Sequence, residues 1–550
     1  MAEELNKLNL PLGYRMNRRS VLRAAGLATA GIAGASLLAA CETDDDEPDV
    51  GAAETDDDED EEDVEEPEED EEEEEEEPDD DAEDMTVDVS QWSPEYIQEI
   101  AGTMDFDTAE FCSNIVPLDY EGSVTFSYIG PTEASPQVTW DYDEEFWEAW
   151  NETYPGIPLS VGEGVQSHTY GDMLDQIRTA AFGNAAPNVA RLPILWGVEF
   201  AARDMLEEIN LADFGFSEDD FWPGALQSCM WEGKLYGIPT NNETMALIYN
   251  KQLFEDAGLD PEDPPATWDE VVEYSRIISE ETGAHGFGMV ARVNHGNTPF
   301  RFMPTLWAYG GSALDEAEDD PQYQESLLRS DGAKAALQAY YDMYVRDQSV
   351  PTGALTNDNT ANTDLFIGGQ LGMYIGHPAE YASMVDRAEQ ATGEEAELAQ
   401  EVVDNIGYTL IPEGPARRAV VFGGSNIHIF KEEYSDHELD WDAARAIIAF
   451  QCAPEWSTKL AWAGSNPGHL QGFRTHWMEQ RLEEIDFLEV ASAMLPFGIP
   501  FPVIPEATEI MNITIPEMLQ NVLTEQMSVD DAAEQAADEI EDIVAGRSGY

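Results

Sequence analysis

The side chains that make enzymes are present here without the spacings that make them act. The eight His residues form no HExxH pair or other close metal-ligating set, no GxSxG turn presents a serine, and no CxxC or repeated Cys/His spacing would hold zinc. Of the four Cys, Cys112, Cys229 and Cys452 permit at most one disulfide with one thiol left over, while Cys41 closes the segment Leu38-Ala39-Ala40-Cys41. Carboxylates and flat rings are abundant instead: 115 Asp plus Glu, 13 Trp and 20 Tyr. Rings give apolar platforms, and carboxylates and carboxamides exchange hydrogen bonds, a combination suited to a guest with C–H faces and a rim of hydroxyls. Paired carboxylates can also cleave glycosidic bonds, which leaves a secreted lipoprotein hydrolase as a distant alternative. The leading expectation is binding without catalysis, metal or cofactor.

Such groups need a scaffold, and 550 residues with 42% hydrophobic content exceed one ordinary core. Two packed lobes plus non-globular segments are expected. The formal net charge is -90, which excludes nucleic acid and anionic membrane surfaces as partners because both need a basic footprint. Glu42 to Asp84 holds 32 acidic residues and no basic ones, a solvated spacer held open by self-repulsion. Beyond it and the leader, 81 acids face 20 bases. At molar salt the Debye length falls to about 3 Å and that repulsion largely vanishes, so the composition points to a halophilic source, a haloarchaeon above all.

The first forty residues read as an export signal. Asn17-Arg18-Arg19-Ser20-Val21-Leu22-Arg23 resembles the twin-arginine motif, with Arg18 and Arg19 ahead of a charge-free stretch from Ala24 to Ala40. Those seventeen residues fall short of the roughly 20 that span a bilayer. Leu38-Ala39-Ala40-Cys41 looks like a lipobox, in which the Cys41 thiol takes the lipid. One chain alone holds reversibly, so stable anchoring needs a second. Met16, just before the Arg pair, is an alternative start to Met1. The protein is therefore expected on the outer face of the cell membrane, touching it only through lipid.

From Gly122 the pattern alternates strands with helices, as α/β lobes do. Val124–Ile129, Ile157–Val161 and Ala246–Tyr249 read as strands, and a third parallel strand is expected near Asn188–Leu192. Helices are predicted over Asp143–Tyr154, Tyr170–Phe182, Lys251–Ala257, Asp331–Arg346, Asp440–Cys452 and Val529–Val544. Phe146, Trp147 and Trp150 sit at helical spacing and belong to a core, and Thr267 with Glu270 makes a capping box.

Gly237-Ile238-Pro239, Leu247-Ile248-Tyr249-Asn250-Lys251-Gln252-Leu253-Phe254, Ala257-Gly258-Leu259-Asp260, Pro265 and Thr267-Trp268-Asp269-Glu270 form a long ordered run. That run resembles the family 1 extracellular solute-binding proteins of ABC importers, which include maltodextrin binders. Tyr154-Pro155-Gly156-Ile157, Leu365 to Met373, Phe422-Gly423-Gly424-Ser425-Asn426, Pro454-Glu455 and Ser528 to Ala533 support the match, which covers Gly122 to Val544. The resemblance implies an α/β fold of two periplasmic-binding-protein-like lobes, joined by hinge-crossing strands over a ligand cleft. It further implies delivery of a small sugar or oligosaccharide to ABC permease subunits by a monomer. Carried onto this chain, it gives 1–41 as signal and lipobox, 42–84 as linker and 85–121 as an N-terminal extension. Residues 122–245 with 424–488 would make lobe one, and 246–423 with 489–550 lobe two.

Site residues follow from the same resemblance. Glu243 lies seven residues before Asn250, where maltodextrin binders place a carboxylate, and Asn242 adjoins it. Trp196, at a strand end, is a candidate stacking platform; Trp307 and Tyr309 precede Gly310-Gly311, where lobe-two contacts are implied. Helical packing with Phe302 and Leu306 is the rival account of Trp307. Gly424 and its neighbour Gly423 would let backbone amides approach a guest, and Trp462 follows the helix opened by Pro454. Where many relatives carry a cleft Trp after Met373-Tyr374-Ile375-Gly376, this chain has His377, with Tyr381 nearby as a second substitute. A glycerol phosphate or other polyol ester is the alternative solute, for which Arg191, Arg292 and Arg301 are the nearby cations. Asn151, Asn242 and Asn512 head glycosylation sequons.

Overall fold

The computed structural model describes residues 87–546 apart from 134, 316–324, 462–463 and 486. Arg18, Arg19, Cys41, the acidic tract and Trp462 lie outside the described residues. In chain order the strands are Phe126–Ile129 (β1), Ser160–Val161 (β2), Gly164–His168 (β3), Val189–Pro193 (β4), Met230–Trp231 (β5), Lys234–Leu235 (β6), Ile238–Glu243 (β7), Ala246–Asn250 (β8), His285–Gly288 (β9), Leu371–Gly376 (β10), Ile406–Thr409 (β11), Val420–Val421 (β12), Gly423–Ile429 (β13), Asn466–Pro467 (β14) and Gly498–Ile499 (β15).

Seven of them form one sheet in the order β14-β7-β13-β4-β1-β3-β2, and four a second in the order β11-β8-β10-β9. β1 lies parallel to β3 and β4, whereas β13 runs antiparallel to both β4 and β7. The chain leaves the first sheet at Glu243 and enters the second at Ala246; it returns from β11 through β12, which pairs with β15, into β13. Each sheet has its own core. Phe126, Phe146, Trp147, Trp150 and Trp456 fill that of the first, and Trp268, Phe302, Trp307 and Tyr340 that of the second. A further apolar cluster is shared: Ile194, Trp222 and Phe473 from the first side meet Ala246, Ile248 and Tyr374 from the other. The architecture is thus the expected α/β pair of lobes with crossing strands.

Local chemistry sets the helix ends. Thr267 Oγ1 accepts from the Glu270 N–H and the Glu270 carboxylate from the Thr267 N–H, the reciprocal cap anticipated from sequence. The helix expected from Asp143 begins at Gln137, because its first turns carry polar residues and only the buried Tyr142, Phe146, Trp147 and Trp150 display the period. Ile157–Val161 is strand only at Ser160–Val161, and the stretch predicted as helix to Arg346 changes to a π turn after Tyr341. Cys112, Cys229 and Cys452 are free and buried, so none of these three is in a disulfide. Among the described residues no helix is long and apolar enough to cross a membrane.

The segment before the first sheet is packed down. Trp92 stacks edge-on against Trp222 and Phe473, at 4.9 and 4.8 Å between centroids, and its indole N–H donates to the Ser492 carbonyl at 2.9 Å.

One glycine carries the return crossing. Gly424 has φ +125°, beside the register shift between Ser425 and Asn426, and a Cβ there would run into the Asn241 carbonyl oxygen. Gly424→Ala is expected to cost on the order of 3 kcal/mol and lower the melting temperature in thermal denaturation at molar salt. An unchanged melting temperature would show that the crossing tolerates a side chain.

Candidate functional site

The crossing strand ends on the best-placed polar group in the molecule. Along β7 the side chains alternate, so Asn241 and Glu243 share a face while Asn242 takes the other. Asn242 is buried and its amide donates to the carbonyls of Pro467 (3.0 Å) and Gly468 (3.5 Å). The expected Asn242 contact is therefore corrected: its amide is committed to holding β14. Asn241, unremarked in the sequence, donates its amide to Ser465 Oγ at 3.1 Å.

Opposite Glu243 stands the end of β10. His377 caps the helix Pro378–Gln390, its backbone N–H donating to Glu380 Oε2 at 3.2 Å, and its Nε2 lies 3.5 Å from Glu243 Oε2. Glu380 is held in turn by Arg301 (2.9 Å) and by the Asn359 amide. Burial pushes the Glu243 carboxyl up, but hydrogen bonding with His377, the His377 charge, Asn241 and Arg301 outweigh it, leaving Glu243 below the usual Glu range. A chain of polar contacts thus runs from Glu243 on one sheet's edge through His377 and Glu380 to Arg301 in the other lobe.

The aromatic wall is built at the ends of β3 and β4. Tyr170 opens the helix Tyr170–Phe182 and packs on Trp196, with ring centroids 5.2 Å apart and 43° between planes. Trp196 exposes only 4% of its surface, Tyr170 51%. The platform predicted at Trp196 is accordingly the backing of a ring that presents itself, Tyr170. Although half-exposed, the Tyr170 phenol is pushed up to about 12, first by the crowding of protein atoms and then by the Glu243 charge, as befits a side chain lining a crevice. A Cβ on Gly296, from the facing lobe, would sit 3.4 Å from the Tyr170 hydroxyl; a Cβ on Gly423, beside Glu243 in its own sheet, would sit 2.9 Å from the Phe300 ring and 3.2 Å from Glu243 Cβ. Tyr170, Trp196, Glu243, Phe300 and His377 therefore lie close together where the two lobes meet.

Other candidates go elsewhere. Trp307 is fully buried with its indole N–H on Ser312 Oγ (3.3 Å), and the Tyr309 hydroxyl donates to Asp269 (2.7 Å). The helix Asn297–Ala308 turns its first residues, with Phe300 and Arg301, toward the crevice and drives its last turn into the core, which corrects both expectations. Gly424 serves the crossing strand, and Tyr381 packs against Tyr408. Arg301 is paired with Glu380 and Arg292 lies 3.8 Å from Asp358, leaving both cations already neutralised. The Asn151 amide donates to two backbone carbonyls and Asn242 is buried, so neither sequon offers a free amide. Among the described residues no cluster of His, Cys, Asp and Glu fits a metal ion. Tyr170 and Phe300 were not singled out because a lone aromatic near a helix start carries no motif; for Tyr170 the readable signal was position, directly after the strand that ends at His168.

Residues 138–456 match the profile of the bacterial extracellular solute-binding proteins. A protein of Brucella abortus (strain 2308), named only as a candidate binding protein, is 24% identical over 382 residues, 68% of this chain and 83% of that one. The mannitol-binding protein of Pseudomonas aeruginosa is 24% identical over 272 residues, 49% of this chain and 54% of its own length. Among solved structures, maltose-bound MalE3 of T. maritima superposes with a TM-score of 0.62 at 24% identity, covering 77% of this chain and all of that one.

Because Glu243 is depressed in the folded protein, its contribution to stability is complete above the ordinary Glu range and is lost as pH falls through its lowered value. The melting-temperature difference between the parent and Glu243→Gln is thus expected to be largest near about pH 6 and to shrink toward about pH 3. A difference constant across that range would remove the Glu243–His377 link.

Proposed function

We propose that this chain, which belongs to the bacterial extracellular solute-binding protein family, captures a sugar or oligosaccharide between its lobes and delivers it to the permease of an ABC importer. The observation that carries the reading is the crevice where the half-exposed Tyr170 ring, backed by Trp196, faces Glu243, His377 and Phe300. A ring offers its face to sugar C–H groups, and a carboxylate kept ionised accepts hydroxyl hydrogen bonds. Closure is a population shift: a guest touching both walls favours the closed arrangement by its differential contact energy. Micromolar affinity needs only about 8 kcal/mol, within reach of a few such contacts. Of the three cations near the candidate loops, Arg292 and Arg301 are paired with Asp358 and Glu380, which leaves Arg191 as the one a phosphate ester would have to use.

In this reading residues 122–245 with 424–488 move against 246–423 with 489–550, as a monomer. Arg18 and Arg19 address the precursor to twin-arginine export, lipidated Cys41 holds it at the outer membrane face, and the 42–84 tract stands it off from the surface. The acidic surplus fits a source living in molar salt.

A thermal-shift screen of mono- and oligosaccharides, polyols and phosphate esters at molar salt is expected to give a sugar hit. A guest at a hundredfold excess over Kd adds about 2.7 kcal/mol of stability. Glu243→Ala should abolish the shift, and Tyr170→Ala should reduce it by about tenfold in affinity. Sugars leaving the melting point unmoved, with phosphate esters raising it, would overturn the sugar assignment. Cys41→Ser is expected to release the protein from the membrane fraction, and retention would dismiss the anchor.

A further inference from the structure

A second recess lies in the first lobe, away from Glu243. Tyr128, Ile129 and Pro131 at the end of β1, Thr139, Tyr142 and Asp143 on the helix Gln137–Thr153, Arg191 on β4, and Lys459 with Leu460 enclose a cavity of about 30 Å³. Its floor is Tyr128, Tyr142, Arg191 and Lys459, all buried, while Ile129, Pro131, Thr139 and Leu460 at the rim are partly open. The rim sits at the seam between the lobes. A Cβ on Gly464, just beyond Leu460, would run into the Ala379 backbone of the opposite lobe.

The polar groups of this floor are under-used. Arg191 exposes 8% of its surface, lies 5.1 Å over the Tyr128 ring and gives one hydrogen bond, to the Ile129 carbonyl at 3.3 Å; among the described residues it makes no ion pair. The Tyr142 hydroxyl is buried with Arg191 and Gln451 beside it but closes no hydrogen bond of ordinary geometry, and Gln451 Oε1 is likewise unpartnered. Asp143 accepts from the Tyr128 hydroxyl and feels the Arg191 charge. Lys459 is already taken by Glu145 (2.6 Å) and Glu455 (3.0 Å). Buried polar atoms left in this state are costly unless a guest completes them.

We propose, building on the solute-binding reading above, that the Tyr128–Tyr142–Asp143–Arg191 recess is a specificity subsite taking one neutral hydroxyl or hydroxymethyl group of the bound sugar. An anionic group would meet Asp143 and a cationic one Arg191, whereas a hydroxyl donates to the carboxylate and accepts from the guanidinium and the Tyr142 hydroxyl together. The volume admits a single such group, so it reads one position of the solute rather than a whole ring. A site built to pair a hydroxyl also rejects the analogue lacking it, because its own buried groups are then left bare.

Tyr142→Phe tests this with little structural disturbance, since the oxygen removed has no closed hydrogen bond to lose. Titration calorimetry of the full chain at molar salt would compare parent and variant against the best-binding sugar and its monodeoxy analogues. The parent is expected to discriminate against one analogue by about tenfold or more. Tyr142→Phe should weaken the full sugar by about tenfold, bind that analogue like the parent, and melt unliganded within about a degree of the parent. A variant that keeps parental affinity and discrimination overturns the subsite and leaves a resident water as the occupant of the recess. A parent that binds no sugar at all overturns the solute assignment and the subsite with it. A variant weakened equally toward every analogue overturns the subsite alone.

Discussion

The two lobes share a joint made of buried hydrogen bonds. Thr244, in the single step between β7 and β8, donates to the Ala491 carbonyl at 2.5 Å and accepts from the Asn466 amide at 3.1 Å; Asn466 Oδ1 is bound by Ser492 Oγ at 2.6 Å. Each of these groups is buried, and inside a protein an unpaired one would cost far more than the bond contributes. The joint therefore resists being pulled apart. It also fixes where Glu243 stands, one residue earlier, and so the place at which the facing lobe must meet it.

From that constraint the crevice follows. A carboxylate at the end of a crossing strand belongs to one sheet and is seen by the other, and His377, held by its capping contact to Glu380, is what sees it. The ring that completes the wall comes from a third direction, the start of the helix after β3. An aromatic ring, a carboxylate and an imidazole thus converge from elements that no single stretch of sequence could bring together.

The fold was largely legible in the amino acids, the site only in part. Regular elements announce themselves by period and cap: the helix Tyr170–Phe182 stops at Gly183, and the helix after Thr267 opens on the reciprocal bonds of Thr267 and Glu270. Glu243 and His377 were singled out because they sit beside long matching runs, and the fold brings their side chains within 3.5 Å of each other. Asn242 went astray because a strand alternates and adjacent residues cannot share a face. Trp307 and Tyr309 failed for a helical reason, since the end of a helix that faces a crevice is set by packing at the other end, which sequence does not display. Tyr170 and Phe300 needed the opposing lobe to give them meaning.

Cys112, Cys229 and Cys452 are free thiols sealed inside the described body, and burial pushes each of them well above the usual thiol range. A thiolate is the reactive form, so these sulfurs are inert toward oxidants and toward one another. The core closes without an oxidising partner and gains nothing from one. Among the described residues the packing therefore does not depend on the redox state of its surroundings, and reductant or air should leave it equally intact.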